Sequence, residues 1–201
     1  VPEGVGAMAA VVGFSGDVVQ ALCAEASDAE HQCQPANENG AGQIVVSGHR
    51  PAVERIVALA KARGSKLCKL LPVSAPFHSA LMQPAADRLA AELERVEIRP
   101  PAITVLANID ARPYPSEDGA AVRDRLVRQV AGTVRWEQCA QELAARGATA
   151  VVEVGPGRVL SGLLKRIYAG VTTAAGAPIA LHGFAEPGPL AELRAQLSSA
   201  P

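Results

Sequence analysis

The first 73 residues alternate between short apolar runs and segments with apolar residues at helical spacing, and this alternation restricts the possible fold most strongly. Four runs are predicted as strands, at residues 7–14, 32–37, 43–47 and 66–73. One helix is predicted after Ser15-Gly16-Asp17 and another after Arg50-Pro51, because such residues commonly begin helices. The resulting β-α-β-β-α-β order is the split βαβ pattern of a ferredoxin-like unit. We therefore predict a ferredoxin-like small subdomain over residues 1–73.

Residues 74–201 continue the α/β alternation with fewer strands. Strands are predicted over 103–107 and 150–154, and helices over 82–96, 122–130, 136–145, 159–167 and 190–197. Two strands are too few for a self-contained doubly wound sheet. The pattern therefore predicts that this part belongs to the C-terminal end of a larger α/β domain.

Charge and hydropathy exclude several classes of protein. With 19 basic and 20 acidic residues and a net charge of −1, the chain lacks the basic surplus of a nucleic-acid binder, so we expect no nucleic-acid partner. The longest uncharged run, residues 169–185, is broken by three glycines and a proline, so we expect no membrane span. The cysteines form no C-x-x-C pair and are expected to be buried or free thiols of a cytoplasmic protein: Cys23, Cys33, Cys68 and Cys139.

Among the four histidines, His78 has the surroundings most typical of a catalytic side chain. It follows Pro76-Phe77 in a loop between a predicted strand and a predicted helix, and catalytic groups are often held on such loops. A hydrogen-bonded loop histidine without a catalytic role is the alternative. Of the others, His31 is expected to be solvated, His49 to cap a helix and His182 to lie in a weakly patterned tail.

The chain offers no convincing nucleophile of its own. No G-x-S-x-G elbow is present in the sequence. Cys68 lies on a predicted strand and precedes His78 in the chain. A hydrolase that uses Cys68 as its nucleophile is therefore a minor alternative, although the strand pattern favours an inert buried thiol. Gly155-Pro156-Gly157 lacks the lysine and hydroxyl residues of a phosphate loop and is typical of a strand-to-helix turn.

Five stretches, in order along the chain, resemble the malonyl-CoA:acyl carrier protein transacylase family. They are VPEGVGAMAAVVG at the start, NENGAGQIVVSGH at 37–49, LPVSAPFHSALMQPAADRL at 71–89, VRDRLVRQ at 122–129 with VRW at 134–136, and EVGPGRVLSGLLKRI at 153–167. The resemblance becomes vague only after Tyr168. It implies a ferredoxin-like subdomain inserted into an α/β-hydrolase-like acyltransferase core, with residues 74–201 as the C-terminal part of that core.

The resemblance also implies the residues that assist the reaction. His78, in the matching A-P-F-H-S segment, corresponds to the general base of the family. Histidine suits this role because it accepts and returns a proton near neutral pH. Gln129, in L-V-R-Q, corresponds to the residue whose backbone carbonyl orients that imidazole.

Substrates and their contacts are implied in the same way. Phe77 corresponds to a position where bulk excludes an α-methyl group, so it is expected to favour malonyl over methylmalonyl groups. Asn39 corresponds to an asparagine near the CoA-binding cleft, with Asn37 and Gln43 beside it. The implied reaction transfers malonyl from malonyl-CoA to the phosphopantetheine thiol of holo-acyl carrier protein in fatty acid biosynthesis, with no metal or redox cofactor.

The nucleophile that the family uses is absent from this sequence. In the family, a G-H-S-x-G serine, an arginine that pairs with the malonyl carboxylate and the oxyanion-hole groups lie upstream of the position matching Val1. We therefore expect a fragment of a longer enzyme, inactive on its own. A non-catalytic module that binds CoA or a carrier protein is the alternative.

Overall fold

A four-stranded antiparallel sheet with two helices forms the first part of the computed structural model, which describes residues 1–115 and 118–184 together with Ala195. The strands pair in the order β2-β3-β1-β4, with β1 (Gly6–Val12), β2 (Cys33–Glu38), β3 (Gln43–His49) and β4 (Leu67–Leu70). Helix α1 (Gly16–Ala26) follows β1 in the chain, and α2 (Arg50–Ala62) follows β3. The predicted β-α-β-β-α-β order is the order that the structure has.

Alternation along the strands places apolar side chains on both faces of this sheet. Ala7, Ala9 and Val11 of β1 belong to the cluster that includes the buried faces of α1 and α2. Met8, between them, belongs to a second cluster on the opposite face, together with Ala36 of β2. The first cluster is the main core, and its other buried members are Val19, Leu22, Cys23, Ala26, Ile44, Val46, Val53, Ile56, Ala60 and Cys68.

The outer edge of β2 is covered by the segment around Val134. The Val134 amide donates to the Ala36 carbonyl, and the Val134 carbonyl accepts from the Glu38 amide, both at 2.8 Å. These bonds satisfy edge groups that would otherwise be open to pairing with another chain. The first compact unit, Val1–Cys139, thus extends beyond residue 73. A subdomain boundary between 1–73 and 74–201 stays a prediction.

Shorter elements complete this unit. They are a 3-10 helix (Ala80–Met82), α3 (Gln83–Leu93), β5 (Leu106–Ala107), β6 (Arg112–Pro113), α4 (Gly119–Ala131) and the start of α5 (Trp136–Ala145). The predicted strand over 103–107 is wrong in extent, because only Leu106–Ala107 pairs, with Arg112–Pro113 as its partner. Ile103 is 77% exposed. The apolar run that suggested a longer strand is therefore not buried in a sheet.

The second compact unit, Ala140–Pro201, contains β7 (Ala150–Val154), α6 (Val159–Ile167) and β8 (Ala180–Phe184). β7 and β8 pair in parallel along their whole length. The sequence analysis missed β8, and its predicted helix over 190–197 lies outside the described residues. None of the helices that the structure describes is long and apolar enough to cross a membrane.

The Glu153 carboxylate joins the end of β7 to the start of α6. It accepts hydrogen bonds from the Ser161 hydroxyl at 2.6 Å and from the Leu160 amide at 3.0 Å. These bonds hold the pKa of Glu153 below its usual range, and the bond from the Ser161 hydroxyl lowers it most. Amides in the first turn of a helix have no partner within the helix, so Glu153 acts as a cap across the Gly155-Pro156-Gly157 turn.

The first prediction concerns Gly6, which allows the loop after β4 to approach β1. A Cβ atom on Gly6 would overlap the ring of Pro76, a fully buried residue. We expect Gly6→Ala to lower the free energy of unfolding by about 1–3 kcal/mol, the usual cost of overpacking a core. Urea unfolding followed by circular dichroism measures this change.

Gly162→Ala is the matched control for Gly6→Ala. Its added Cβ meets nothing within 4 Å, and it lies inside α6, where alanine is a better helix former than glycine. We expect this variant to be at least as stable as the wild type. An equal loss of stability in the two variants would contradict the packing argument.

Candidate active site

His78 lies in the loop between β4 and the 3-10 helix, in a backbone conformation that few residues other than glycine adopt. Its φ is +57°, within the left-handed region where residues other than glycine are uncommon. Neighbours hold the loop in place, since Pro76 is fully buried and the Ser79 hydroxyl donates to the Pro76 carbonyl at 2.7 Å. Strained backbone that the surrounding structure maintains is often found at functional sites.

The backbone carbonyl of Gln129 lies 3.0 Å from Nδ1 of His78. Gln129 is in the last turn of α4, where carbonyl groups have no partner within the helix. Because a carbonyl oxygen only accepts hydrogen bonds, Nδ1 of the neutral imidazole carries the proton and Nε2 presents its lone pair. The Gln129 side chain bonds elsewhere, since its Nε2 donates to the Gly132 carbonyl at 3.0 Å. This tautomer of His78 can accept a proton at Nε2.

Gln34 is a residue of this site that the sequence analysis missed. Its Nε2 lies 3.4 Å from the carbonyls of both His78 and Ala131, and its Oε1 accepts from the Ala80 amide at 3.1 Å. One side chain of β2 therefore contacts both the His78 loop and the end of α4. The sequence carries no signal for this, because the three partners are brought to Gln34 only by folding.

The three polar residues predicted to lie near CoA are on the hairpin between β2 and β3. The Asn39 amide donates to the Gln43 carbonyl at 3.0 Å, and Asn37 pairs with Val45 in the sheet. Gln43 lines a cleft of about 400 Å³, and His78 is not among the described residues that line this cleft. The structure thus brings His78 and Gln129 together and leaves the binding roles of Asn37, Asn39 and Gln43 as predictions.

Phe77 directly precedes His78 and is 43% exposed. A large apolar side chain with this exposure, next to the imidazole, is accessible to a ligand that approaches His78. A substrate-binding role for Phe77 stays a prediction.

The remaining candidates from the sequence occupy structural positions. The rings of His31 and His49 contact edge to face with centroids 5.6 Å apart, and Nδ1 of His49 accepts from the Gln32 amide at 3.1 Å. Cys68 belongs to the main core, and burial raises the pKa of its thiol. A buried thiol with a raised pKa is a poor nucleophile, so the structure does not favour a hydrolase that uses Cys68.

Comparison with known sequences supports an acyltransferase architecture. The family model described as "Acyl transferase domain" matches residues 3–185 of the chain. The malonyl CoA-acyl carrier protein transacylase of Escherichia coli (strain K12) is 45% identical over 175 residues, which make up 87% of this chain and 56% of that protein. The chain thus spans little more than half the length of this curated relative.

Solved structures give the same picture. The acyl-carrier-protein S-malonyltransferase of Burkholderia pseudomallei 1710b superposes with a TM-score of 0.86 and 44% identity, covering 96% of this chain and 59% of that one. A malonyl-transacylase in complex with its type II PKS acyl-carrier protein superposes with a TM-score of 0.81 and 38% identity, covering 92% of this chain and 56% of that one. The α/β fold is therefore shared with these enzymes.

Proposed function

Because the chain belongs to the acyl transferase domain family, we propose that it is the part of a malonyltransferase that supplies the general base, His78. The substrates would be malonyl-CoA and the phosphopantetheine thiol of holo-acyl carrier protein, in fatty acid or polyketide synthesis in the cytoplasm. The nucleophilic serine would come from a segment upstream of Val1. The chain alone would then be inactive.

The contact between His78 Nδ1 and the Gln129 carbonyl is the observation that carries this proposal. It spans 51 positions of sequence, from a strained loop to a helix end. It leaves Nε2 as the only basic nitrogen of the imidazole. An imidazole held in one tautomer by a backbone acceptor is suited to proton transfer at its other nitrogen.

The proposed reaction has two half-reactions in which His78 takes and returns a proton. In the first, Nε2 takes the serine proton while the serine oxygen attacks the malonyl thioester carbon. The bond between carbon and sulfur breaks, CoA leaves as a thiol after receiving the proton, and a malonyl-serine ester remains. In the second, Nε2 takes the proton of the phosphopantetheine thiol, whose sulfur attacks the ester, and the proton returns to the serine.

Initial-rate kinetics test this proposal on a joined protein, in which an upstream segment that carries the G-H-S-x-G motif of the family precedes Val1. Two half-reactions without a ternary complex predict parallel double-reciprocal lines when malonyl-CoA and holo-acyl carrier protein are varied. Intersecting lines would contradict the malonyl-serine intermediate. Binding of CoA or carrier protein without any transfer would favour the non-catalytic module.

A further prediction concerns the selectivity that Phe77 is proposed to confer. We expect Phe77→Ser in the joined protein to narrow the preference for malonyl-CoA over methylmalonyl-CoA, because the smaller side chain leaves room for the α-methyl group. One methyl group in a pocket is worth about 1–3 kcal/mol, so the change should be partial. The ratio of kcat/KM for the two substrates measures it, and an unchanged ratio would remove Phe77 from the acyl pocket.

A further inference from the structure

Cys23 of α1 and Cys33 of β2 lie close together in the fold, ten positions apart in sequence. Cys23 is completely buried in the main core, and Cys33 is half-buried at its border. The sulfur of Cys33 lies 3.7 Å from the Cys23 carbonyl oxygen, and Cys33 packs against the main core to which Cys23 belongs. Two free cysteines this close together are an arrangement that the dispersed cysteines of the sequence did not indicate.

Ser27 fixes Cys33 in this arrangement. Its hydroxyl oxygen accepts from the Cys33 amide at 3.1 Å and lies 3.9 Å from the Cys33 sulfur. The same hydroxyl donates to the Cys23 carbonyl at 2.7 Å. One side chain therefore holds both cysteines, so their proximity belongs to the folded structure of this turn.

The surroundings make the two thiols chemically different. The neighbouring Cys23 thiol, the Ser27 hydroxyl and the charge of Arg55 lower the pKa of Cys33 despite its partial burial. The neighbouring Cys33 thiol and burial raise the pKa of the Cys23 thiol. A half-buried thiol with a lowered pKa thus lies beside a fully buried thiol with a raised pKa, an arrangement typical of a nucleophilic cysteine beside a resolving one.

We propose that Cys33 and Cys23 form a peroxide-sensitive thiol pair that closes to a disulfide between β2 and α1. The Cys33 thiolate attacks hydrogen peroxide, the O–O bond breaks, hydroxide leaves, and Cys33 becomes a sulfenic acid. The Cys23 sulfur then attacks the Cys33 sulfur, the S–O bond breaks, and the Cys23 proton leaves with the hydroxide as water. The two thiols lose two electrons in total, and the peroxide is reduced to water.

The position of the pair places this chemistry beside the candidate active site. Cys33 and Gln34 are consecutive in β2, so their side chains point to opposite faces of the sheet. Cys33 contacts α1 on one face, and Gln34 bonds the His78 loop on the other. The oxidised residue would therefore be adjacent in the chain to the side chain that holds the His78 loop.

Peptide mapping of the whole 201-residue chain tests the proposal without any measurement of acyl transfer. The reduced, folded chain is treated with hydrogen peroxide, its remaining thiols are alkylated in denaturant, and the digest is analysed by mass spectrometry. We expect a peptide that links Cys23 to Cys33, while Cys68 is recovered as alkylated thiol. In Cys23→Ser, the oxidation is expected to stop at a Cys33 sulfenic acid, which dimedone traps.

Cys68→Ser is the matched control, since it removes a buried thiol outside the pair and should leave the linked peptide unchanged. Recovery of Cys23 and Cys33 as alkylated thiols after peroxide treatment of the folded wild type would overturn the proposal. Formation of the link only in chain unfolded by urea would overturn it as well, because the folded contact would then have no role. These outcomes do not depend on whether the chain belongs to a malonyltransferase.

Discussion

Replacement of His78 by alanine in the joined protein is expected to slow formation of the malonyl-serine ester by about 10²–10⁴-fold, the usual contribution of a general base. The expected effect is large because Nδ1 is occupied by the Gln129 carbonyl and Nε2 is the nitrogen left to accept the serine proton. Single-turnover acylation with radiolabelled malonyl-CoA, stopped at successive times, measures the rate of this step. Circular dichroism establishes that the variant is folded.

Two variants serve as controls for His78→Ala. Gln129→Ala retains the backbone carbonyl that contacts the imidazole, so its acylation rate should fall much less. His31→Ala removes a partly exposed imidazole whose ring contacts only His49 among the aromatic side chains described, and its rate should stay near that of the wild type. If folded His78→Ala acylates as fast as His31→Ala, His78 is a hydrogen-bonded loop histidine without a catalytic role.

The second large effect is a complete lack of malonyl transfer, expected from the chain without an added upstream segment. Without a G-x-S-x-G serine in its 201 residues, it should transfer no malonyl group to holo-acyl carrier protein above a protein-free blank. The joined protein should transfer malonyl at a rate that depends on its upstream serine. Transfer of radiolabel from malonyl-CoA to precipitated carrier protein measures both, and a serine-to-alanine variant of the upstream segment is the control for the joined protein.

Transfer by the 201-residue chain alone would show that it contains its own nucleophile. Ser79 would then be the first residue to replace, because its hydroxyl lies beside His78, where it donates to the Pro76 carbonyl. That result would leave the fold assignment intact and would contradict the assignment of the nucleophile to an upstream segment.

The β-α-β-β-α-β order was predictable because its signals are local. The continuous apolar run of β1 and the apolar residues three or four positions apart in α1 are read directly from neighbouring letters. β8 was missed because its pairing with β7 joins residues 30 positions apart, such as Ala150 and Ala180, and its own letters, ALHGF, show little alternation. The strand predicted over 103–107 was too long, because only its last two residues, Leu106–Ala107, pair with a neighbouring strand.

The residues of the candidate active site were predictable only where they belong to a recognisable sequence motif. The resemblance named His78 and the Gln129 backbone, and the structure brings these two groups to hydrogen-bonding distance. Nothing in the sequence connects Gln34 to His78, or Cys33 to Cys23, because each contact depends on which face of β2 a side chain occupies. Side-chain contacts of this kind follow from the register of the sheet, which single-sequence patterns determine poorly.

The intact mass of the joined protein after brief mixing with malonyl-CoA, without carrier protein, tests the central claim most directly. The account predicts one malonyl adduct per chain, located by peptide mapping on the upstream serine and removed when a phosphopantetheine thiol is added. It also predicts that His78→Ala carries almost no adduct at the same mixing time. A joined protein that folds, binds malonyl-CoA and never acquires the adduct, or a His78→Ala variant that acquires it at the wild-type rate, would contradict the account.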